Sequence, residues 1–330
     1  MKKISVLTMI LAFLCVTQGR LWAQGKFRVV SGGFNVSHSP VWAAYHQDIF
    51  KKYGLDVDYL AIESGSTAMQ TLLAGEVQVL YSTGALAIAA NLQGADLTII
   101  AGGVNFLPYK LIVRPEIKTA EDLKGKTVAI SRFGSSSELG MQMALEKLGV
   151  NPRHVTIIQA GGNTNRIAAL SGRAVAGALV SEPHATLAVK NLGMHSFVDL
   201  GEIGTAFPLN CFIVKRTLLS ASRDKALNFV KAVIEGLYSV MRNKPYALQL
   251  IKKYMRLDDE MAGIGYDYYL TRHGYELLDL PDKRGLVLAI SLIAQQNSKA
   301  KGQTPESLRV LEPSILEEIK KSGFVEKLTK

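Results

Sequence analysis

Three short segments rich in glycine and hydroxyl side chains carry most of the chemistry that this sequence offers. The longest is Gly134-Ser135-Ser136-Ser137, with Arg132 close before it, between a predicted strand and a predicted helix. The free N–H groups of a first helical turn, the helix dipole and the serine hydroxyls favour a bound anion. Arg132 can add a charge-assisted hydrogen bond. A plain serine N-cap is the alternative, although a cap needs one serine rather than three.

Two other segments repeat this order of strand, glycine with hydroxyls, and helix. They are Ser64-Gly65-Ser66-Thr67 and Ser82-Thr83-Gly84. In an open α/β sheet, ligands bind beyond the carboxyl ends of the strands, where helices begin. The three turns together therefore favour one polar cleft over three unrelated helix caps.

The loop after the first predicted strand adds polar and aromatic candidates. They are Asn35, Ser37, His38 and Trp42. Trp42 either stacks on a planar part of a ligand, which is worth about 0.5–1.5 kcal/mol beyond the buried area, or holds a helix against a sheet. The sequence leaves both interpretations open. His38 is a candidate for ligand binding rather than for general base catalysis.

Tyr109 and Glu182 are candidates near two other strand ends. Tyr109 follows the first α/β stretch, and we expect it to line the cleft. Glu182 can accept a hydrogen bond from a ligand cation or from Arg132. It can equally be an acid near a helix start, which the helix dipole favours. These roles are not separated by the sequence.

Signatures of enzymes are mostly missing. The sequence has no Gly-x-Gly-x-x-Gly, no phosphate-binding loop ending in Lys-Ser/Thr and no Gly-x-Ser-x-Gly elbow. Its histidines show no metal-ligand spacing, and Cys211 has no histidine near it in sequence, which favours an inert buried thiol. We therefore predict a binding protein with no catalytic residues, no metal and no cofactor.

Composition limits the fold and the partners. The chain has 330 residues, 48% of them hydrophobic and 20% charged, so wholesale disorder is excluded. Two cysteines exclude a disulfide-dense scaffold. The net charge is +10, but much of the excess lies in residues 215–330, which hold 20 basic and 14 acidic residues. These charges form no basic stripe interleaved with aromatic residues. We predict a solvated outer face and no nucleic-acid partner.

The first 23 residues predict a secretory leader. Lys2 and Lys3 precede an apolar run over residues 4–16, and Ala23 is a small residue at a cut site. The run is too short for a membrane span of about 20 residues. An uncleaved anchor is the alternative, and the cut site itself is left open. Cleavage would place the mature protein in the periplasm, with Cys211 as its single cysteine.

Strands and helices alternate along two stretches of the chain, which predicts an α/β architecture. Beyond Thr217 helices dominate. Among the helices we predict are those over residues 39–53, 225–242 and 258–273.

The two α/β stretches predict two lobes. We expect the extended segments Lys110–Val113 and Asn210–Val214 to be crossings between them. The predicted division is a leader over residues 1–23, a first lobe over 24–110 and 215–330, and a second lobe over 111–214.

Five segments together resemble those of one known family. They are SPVWAAYHQDIFKKYGLDV (39–57), GSTAMQTLLAGEVQV (65–79), AEDLKGKTVAI (120–130), GSSS (134–137) and SEPH (181–184). In this combination and order, the segments are similar to those of the type II periplasmic substrate-binding proteins of ABC importers. The similar branch is that for aliphatic sulfonates, taurine, nitrate and thiamine-pyrimidine precursors. The resemblance covers nearly the whole mature chain, but no single segment identifies a ligand.

The resemblance implies two α/β lobes, each a mixed sheet flanked by helices, with two crossing strands as a hinge. It implies a monomer, peripheral to the membrane, that captures a small anionic or heterocyclic ligand and delivers it to the transmembrane subunits of an ABC permease. Ser181 stands where the family often has an aromatic residue, so that wall is expected to be more open. The cleft positions implied are Gly65, Ser66, Thr67, Ser82, Thr83, Gly84, Gly134, Ser135, Ser136, Ser137 and Glu182.

Two other functions share this fold. One is a ligand-sensing module for a membrane receptor, which the sequence does not separate from transport. The other is an enzyme similar to the fungal thiamine-pyrimidine synthases, which carry a cysteine-rich metal-binding stretch that this sequence lacks. The identity of the ligand stays open.

Overall fold

The structure, a computed structural model, describes residues 26–272, 275 and 277–329. The predicted leader over residues 1–23 lies outside the described residues. Within those that are described, no helix is both long and apolar enough to cross a membrane.

Strands of the described chain form two five-stranded sheets. In chain order they are β1 (Phe27–Gly32), β2 (Val57–Ile62), β3 (Val79–Ser82), β4 (Leu97–Phe106), β5 (Tyr109–Val113), β6 (Thr127–Ile130), β7 (Thr156–Gln159), β8 (Gly177–Ser181), β9 (His195–Asp199) and β10 (Ala206–Lys215). The first sheet has the order β2-β1-β3-β10-β4, and the second has the order β7-β6-β8-β5-β9.

Both sheets are mixed in the same way. In the first sheet β1 is parallel to β2 and β3, whereas β10 is antiparallel to β3 and β4. In the second sheet β6 is parallel to β7 and β8, whereas β5 is antiparallel to β8 and β9. Two mixed α/β sheets flanked by helices confirm the predicted fold class.

The chain passes between the two sheets at other residues than those predicted from the sequence. The segments Lys110–Val113 and Asn210–Val214 lie inside β5 and β10 rather than crossing between sheets. The chain passes to the second sheet at residues 107–108 and returns over 200–205. Strand β10 therefore belongs wholly to the first sheet, although most of it falls inside the predicted range 111–214. Its apolar run gains hydrogen-bonded neighbours on both sides there, which a crossing segment would lack.

Helices cover the sheets and build the C-terminal part. They are α1 (Ser39–His46), α2 (Ile49–Lys52), α3 (Gly65–Ala74), α4 (Gly84–Asn91), α5 (Ser136–Lys147), α6 (Asn163–Ser171), α7 (His184–Leu192), α8 (Arg216–Arg242), α9 (Lys244–Met255), α10 (Asp259–Tyr266), α11 (Lys283–Ala294), α12 (Ser314–Lys321) and α13 (Phe324–Thr329). Short 3-10 turns span Val36–His38, Glu121–Leu123, Pro152–His154 and Ser298–Ala300, and a π turn spans Asp267–Arg272.

Three long predicted helices differ in detail. The one expected over 39–53 is interrupted at Asp48, whose left-handed backbone (φ 55°) separates α1 from α2. The one expected over 225–242 begins earlier, as α8, and is kinked at Ser222. The one expected over 258–273 ends as α10 at Tyr266 and continues as a π turn, and His273 lies outside the described residues.

Helix α8 holds the first sheet from one side and packs closely on α1. Phe229 on α8 contacts Phe50 and Phe212 with ring centroids 5.5 and 5.3 Å apart. Gly236, about two helical turns further along α8, lies against the backbone of Pro40 and Ala44 on α1. A side chain at Gly236 would meet the Pro40 carbonyl oxygen, which cannot move as a flexible side chain does.

This close approach predicts that Gly236→Ala destabilises the protein. Overpacking of this kind costs about 1–3 kcal/mol of the free energy of unfolding, against a gain below about 1 kcal/mol from removing a helical glycine. Gly263→Ala on α10 is the matched control, because nothing lies within 4 Å of its added Cβ, and it should be neutral or stabilising. Urea unfolding of both variants checks this, and equal stability of the two would contradict the tight α1–α8 contact.

Candidate functional site

A cavity of about 510 Å³ lies where strands of both sheets end. Gly32, Glu63 and Ser82 reach it from the carboxyl ends of β1, β2 and β3. Ser131 and Ser181 reach it from the ends of β6 and β8 in the second sheet. Parallel strands therefore direct their following turns into one shared space, as the sequence pattern predicted.

Not every residue that the sequence singled out lines this cavity. Those that do are Asn35, His38, Gly65, Ser82, Thr83, Tyr109, Ser135 and Ser136. Those that are not among its lining residues are Ser37, Trp42, Ser64, Ser66, Thr67, Gly84, Arg132, Gly134, Ser137 and Glu182.

Much of the serine-rich turn before α5 is bonded to itself. Ser137 Oγ accepts from the Ser131 N–H at 2.9 Å, and Ser135 Oγ lies 2.7 Å from the Arg132 carbonyl oxygen. Ser136 Oγ shares a 2.9 Å hydrogen bond with Tyr109 Oη. Ser137 is thus turned into the protein, where it ties the turn to β6, while its two neighbours face the cavity.

Glycine residues bring the first-sheet turns close together. A Cβ on Gly65 would lie 3.2 Å from Leu86 and would also overlap Ser82 Oγ. The start of α3 therefore rests directly against the end of β3. Ser64 and Ser66 bond to each other at 2.9 Å, and Thr67 is exposed. Only the glycine of this turn contributes to the lining.

The predicted cationic residue of the site, Arg132, is exposed and lies outside the lining. Arg166 on α6 takes that place, because it lines the cavity and is only 4% exposed. Its guanidinium donates to the Leu179 carbonyl oxygen and, at 2.7 Å, to Asn163 Oδ1. Its Nε has no hydrogen-bond partner, and no carboxylate of the described residues pairs with it.

Arg166 is therefore a buried cation that no carboxylate contacts directly, although the charge of Glu63 acts on it from a longer distance and opposes the effect of burial. Burial lowers its pKa to about 10, so the group is still charged at neutral pH. Asn163 also receives the Ser181 N–H at 3.2 Å and donates to Ser181 Oγ at 2.8 Å, which fixes the start of α6 against the end of β8. The guanidinium is held in one place by these neutral groups.

Sequence reasoning missed Arg166, although a signal for its surroundings was present. Gly161, Gly162 and the polar run Asn163-Thr164 follow β7 and open α6, which repeats the order of the three turns that were recognised. Gly162, Asn163 and Thr164 line the cavity. The side chain of Arg166, in contrast, carries no local signal that it points inward.

Glu63 joins the two sheets across the cavity. It follows β2, and its Oε1 accepts the Gly162 N–H at 2.7 Å. Gly162 is the N-cap residue of α6, where the helix dipole favours negative charge. One carboxylate of the first sheet thus already occupies part of the α6 N-terminus.

Two buried histidines line the cavity as neutral groups. His38 is 1% exposed, and burial lowers its pKa to about 3. His184 is 9% exposed, and burial lowers its pKa to about 4, with a further contribution from Arg166. Both ring nitrogens of His38 and the Nδ1 of His184 lack hydrogen-bond partners within the described part of the chain. At neutral pH these two side chains therefore add no charge to the cavity lining.

Trp42 packs inside the protein rather than on a ligand, which decides between its two interpretations. It is fully buried, and its ring stacks on Tyr254 with centroids 4.3 Å apart and planes 5° apart. Its Nε1 donates to Tyr59 Oη at 2.9 Å. Tyr254, not Trp42, lines the cavity.

The C-terminal helices contribute a wall that the sequence did not suggest. Lys253, Tyr254, Met255 and Arg256, at the end of α9, all line the cavity. The expectation that the basic excess of residues 215–330 forms only a solvated outer face is therefore wrong at two positions. Lys253 and Arg256 are exposed and bring positive charge to the cavity wall.

Three remaining candidates have structural partners. Glu182 binds Lys110 at 2.8 Å and accepts the Thr186 N–H at 3.1 Å, so it faces neither a ligand nor Arg132. Ser37 Oγ donates to Asn210 Oδ1 at 3.0 Å. Gly84 lies against Cys211, whose buried thiol has a raised pKa because of desolvation.

Across the described residues no group of three His, Cys, Asp or Glu side chains can hold a metal ion.

Sequence comparison identifies one family and two curated relatives. The family model described as NMT1/THI5 like matches residues 35–247. The putative binding protein YtlA of Bacillus subtilis (strain 168) is 23% identical over 261 residues, which cover 76% of this chain and 77% of that protein. The taurine-binding periplasmic protein of Escherichia coli (strain K12) is 28% identical over 131 residues, which cover 39% of this chain and 41% of that protein.

Solved structures share the fold. A protein of Bordetella bronchiseptica RB50 is similar with a TM-score of 0.76 and 19% identity, over 90% of this chain and 97% of that one. The alkanesulfonate-binding protein of Xanthomonas axonopodis pv. citri, bound to MOPS, gives 0.69 and 14%, over 88% and 96%. The periplasmic nitrate-binding protein of Synechocystis PCC 6803 gives 0.70 and 14%, over 90% and 89%.

The buried state of His38 predicts a pH-dependent stability. Its pKa is lowered from 6.5 to about 3, so between these values the unfolded chain binds a proton that the folded chain does not. Stability is therefore full above about pH 6.5 and falls as the pH is lowered. His38→Gln should reduce the loss of unfolding free energy between pH 6.5 and 4.5 by about 2 kcal/mol.

Urea unfolding at several pH values measures this difference. His154→Gln is the matched control, because His154 is exposed, and its pH profile should follow that of the parent. An unchanged pH profile in His38→Gln would contradict the neutral, buried imidazole.

Proposed function

Because the chain belongs to the NMT1/THI5-like family, we propose that it is an extracytoplasmic solute-binding protein of an ABC-type importer. It binds a small organic anion in the cavity between its two sheets and delivers it to the transmembrane subunits of the permease. The relatives named for taurine, alkanesulfonate and nitrate binding support this proposal. Export through the predicted leader over residues 1–23 is part of the same proposal.

The observation that carries the proposal is the unpaired guanidinium of Arg166. A charge removed from water loses several kcal/mol of solvation, and removing it without a partner is costly unless another ion compensates. Within the described residues only neutral oxygens contact it. An anionic ligand would supply the missing counter-charge, and its binding would gain from the low dielectric of the site.

Neutral hydrogen-bonding groups around the same cavity would hold the rest of the ligand. Ser136 and Tyr109 present hydroxyls that share one hydrogen bond, and His38 and His184 present uncharged rings, whereas the hydroxyls of Ser135 and Thr83 already donate to the Arg132 and Pro208 carbonyl oxygens. Such a lining suits reversible capture, because it offers directional hydrogen bonds without a strong base or an activated nucleophile. The buried thiol of Cys211, with its raised pKa, supports binding over covalent catalysis in the same way.

Closure of the two lobes would complete the site. Two connections, residues 107–108 and 200–205, link the sheets between which the cavity lies. Hinge bending at a few such residues is a common way to close domains around a ligand. The Glu63–Gly162 hydrogen bond would form only when the lobes are together.

A binding assay with a matched pair of arginine variants tests the proposal. The mature protein is titrated calorimetrically with nitrate, alkanesulfonates and small carboxylates, and its thermal stability is followed in parallel. Removing one partner of a buried charge pair costs about 2–5 kcal/mol, so Arg166→Gln should weaken anion binding about 30-fold or more. Arg166→Lys should retain part of the affinity.

Arg132→Gln is the control, because Arg132 is exposed and lies outside the cavity, and its affinity should stay within about twofold of the parent. Circular dichroism confirms that each variant is folded. Failure of every anion to bind the parent protein would overturn the proposed function. Equal losses in both arginine variants would overturn the role of Arg166.

A further inference from the structure

Tyr254 gives the cavity an aromatic wall that lies beyond the residues matched by the family model. It is on α9, seven residues after the matched range ends at residue 247. It lines the cavity together with its neighbour Met255 and, from the opposite end of the chain, with Phe34. Phe34 is 41% exposed. Tyr254, Met255 and Phe34 give this wall an apolar part between the exposed cations Lys253 and Arg256, unlike the hydroxyl-rich turns that line the rest of the cavity.

The ring of Tyr254 is held in one orientation. One face stacks on Trp42 at 4.3 Å with the planes 5° apart. Its hydroxyl is hydrogen-bonded to His46 Nε2 at 2.9 Å. Tyr59 stands against its edge at 76°, with centroids 6.2 Å apart.

Trp42, the member of the stacked pair that faces the core, is also held in one position. Trp42 is fully buried and donates from Nε1 to Tyr59 Oη at 2.9 Å. Tyr59 Oη in turn lies 2.6 Å from Ser31 Oγ. The stacked pair is therefore anchored to β1 and β2, and Tyr254 does not need to reorganise to receive a partner.

Tyr254 lines the cavity whereas Trp42, stacked behind it, does not, and we infer from this that the face opposite Trp42 is turned toward the cavity. Among the described residues no aromatic ring is stacked on that face. A planar group placed there would extend the Trp42–Tyr254 stack by one layer. Stacked aromatic pairs contribute beyond the area that they bury, and a preorganised ring avoids part of the entropy cost of binding.

We propose that the ligand is an aromatic or heteroaromatic organic anion whose ring stacks on the free face of Tyr254 while its acidic group meets Arg166. The inference rests on the proposed anion-binding function. A cavity of about 510 Å³ falls in the range of small-molecule pockets, about 300–1,000 Å³. Arg166 on α6 and Tyr254 on α9 line this one cavity, and the proposal requires a single ligand to contact both.

The test compares probes that differ in the ring alone. Benzoate is measured against cyclohexanecarboxylate, and benzenesulfonate against hexane-1-sulfonate, by titration calorimetry of the mature protein. Each pair has the same acidic group and the same number of carbon atoms. The parent protein should bind the aromatic probe about three- to tenfold more tightly. Saturated carbon is more hydrophobic, so simple burial predicts the opposite order.

Variants at Tyr254 separate stacking from a structural effect. In Tyr254→Leu the aromatic preference should fall to about one, because the platform is gone, whereas a general disturbance would weaken both probes alike. Tyr254→Phe keeps the ring and should keep the preference. Tyr246→Leu, on the same helix but outside the cavity, is the matched control and should behave as the parent.

The outcomes distinguish this inference from the proposed function. If the parent binds both probes of a pair equally, or if Tyr254→Leu keeps the aromatic preference, the stacking site is wrong while anion binding stands. If no anion of the whole panel binds and Arg166→Gln changes nothing, the proposed function itself fails. A preference that is present in the parent and lost only in Tyr254→Leu supports the aromatic ligand.

Discussion

The buried, unpaired charge of Arg166 constrains every other part of the site. It cannot be moved to solvent without breaking its hydrogen bonds to Asn163 and to the Leu179 carbonyl. Those bonds in turn require α6 to begin where β8 ends. The second lobe thus supplies a fixed cation from α6, and the turns of the first sheet supply hydroxyl groups and the Glu63 carboxylate to the same cavity. The two-sheet architecture matters for function because it brings these unlike groups to one cavity.

The sequence predicts the turns of this site well, because their signals are local. Glycine and hydroxyl residues between a strand and a helix have one plausible position, the carboxyl edge of a sheet, and Gly65, Ser82 and Ser135 are found there. What such patterns do not determine is which side chain of a turn faces inward. Ser135 and Ser137 lie two residues apart and both bond to Ser131, yet only Ser135 lines the cavity.

Residues whose role depends on tertiary contacts were harder to predict. Trp42 is a residue type that can stack on a ligand ring. It is instead buried behind Tyr254, which belongs to α9 and lies far away in sequence. Arg132 is indicated by the serine-rich turn beside it and yet is exposed, whereas Arg166, which carries no local signal, is the one that is enclosed. The net charge predicted a solvated outer face for the C-terminal helices, but their basic residues include Lys253 and Arg256 at the cavity wall.

Glu63 limits the charge that the cavity can accept. Its carboxylate accepts the Gly162 N–H at the start of α6, so negative charge is already present beside the helix that carries Arg166. Two like charges about 4 Å apart repel by about 4 kcal/mol at an effective dielectric constant of 20. A first acidic group on the ligand is offset by the guanidinium. A second one placed beside Glu63 would be repelled by it, which favours a ligand that carries no further acidic group on this side of the cavity.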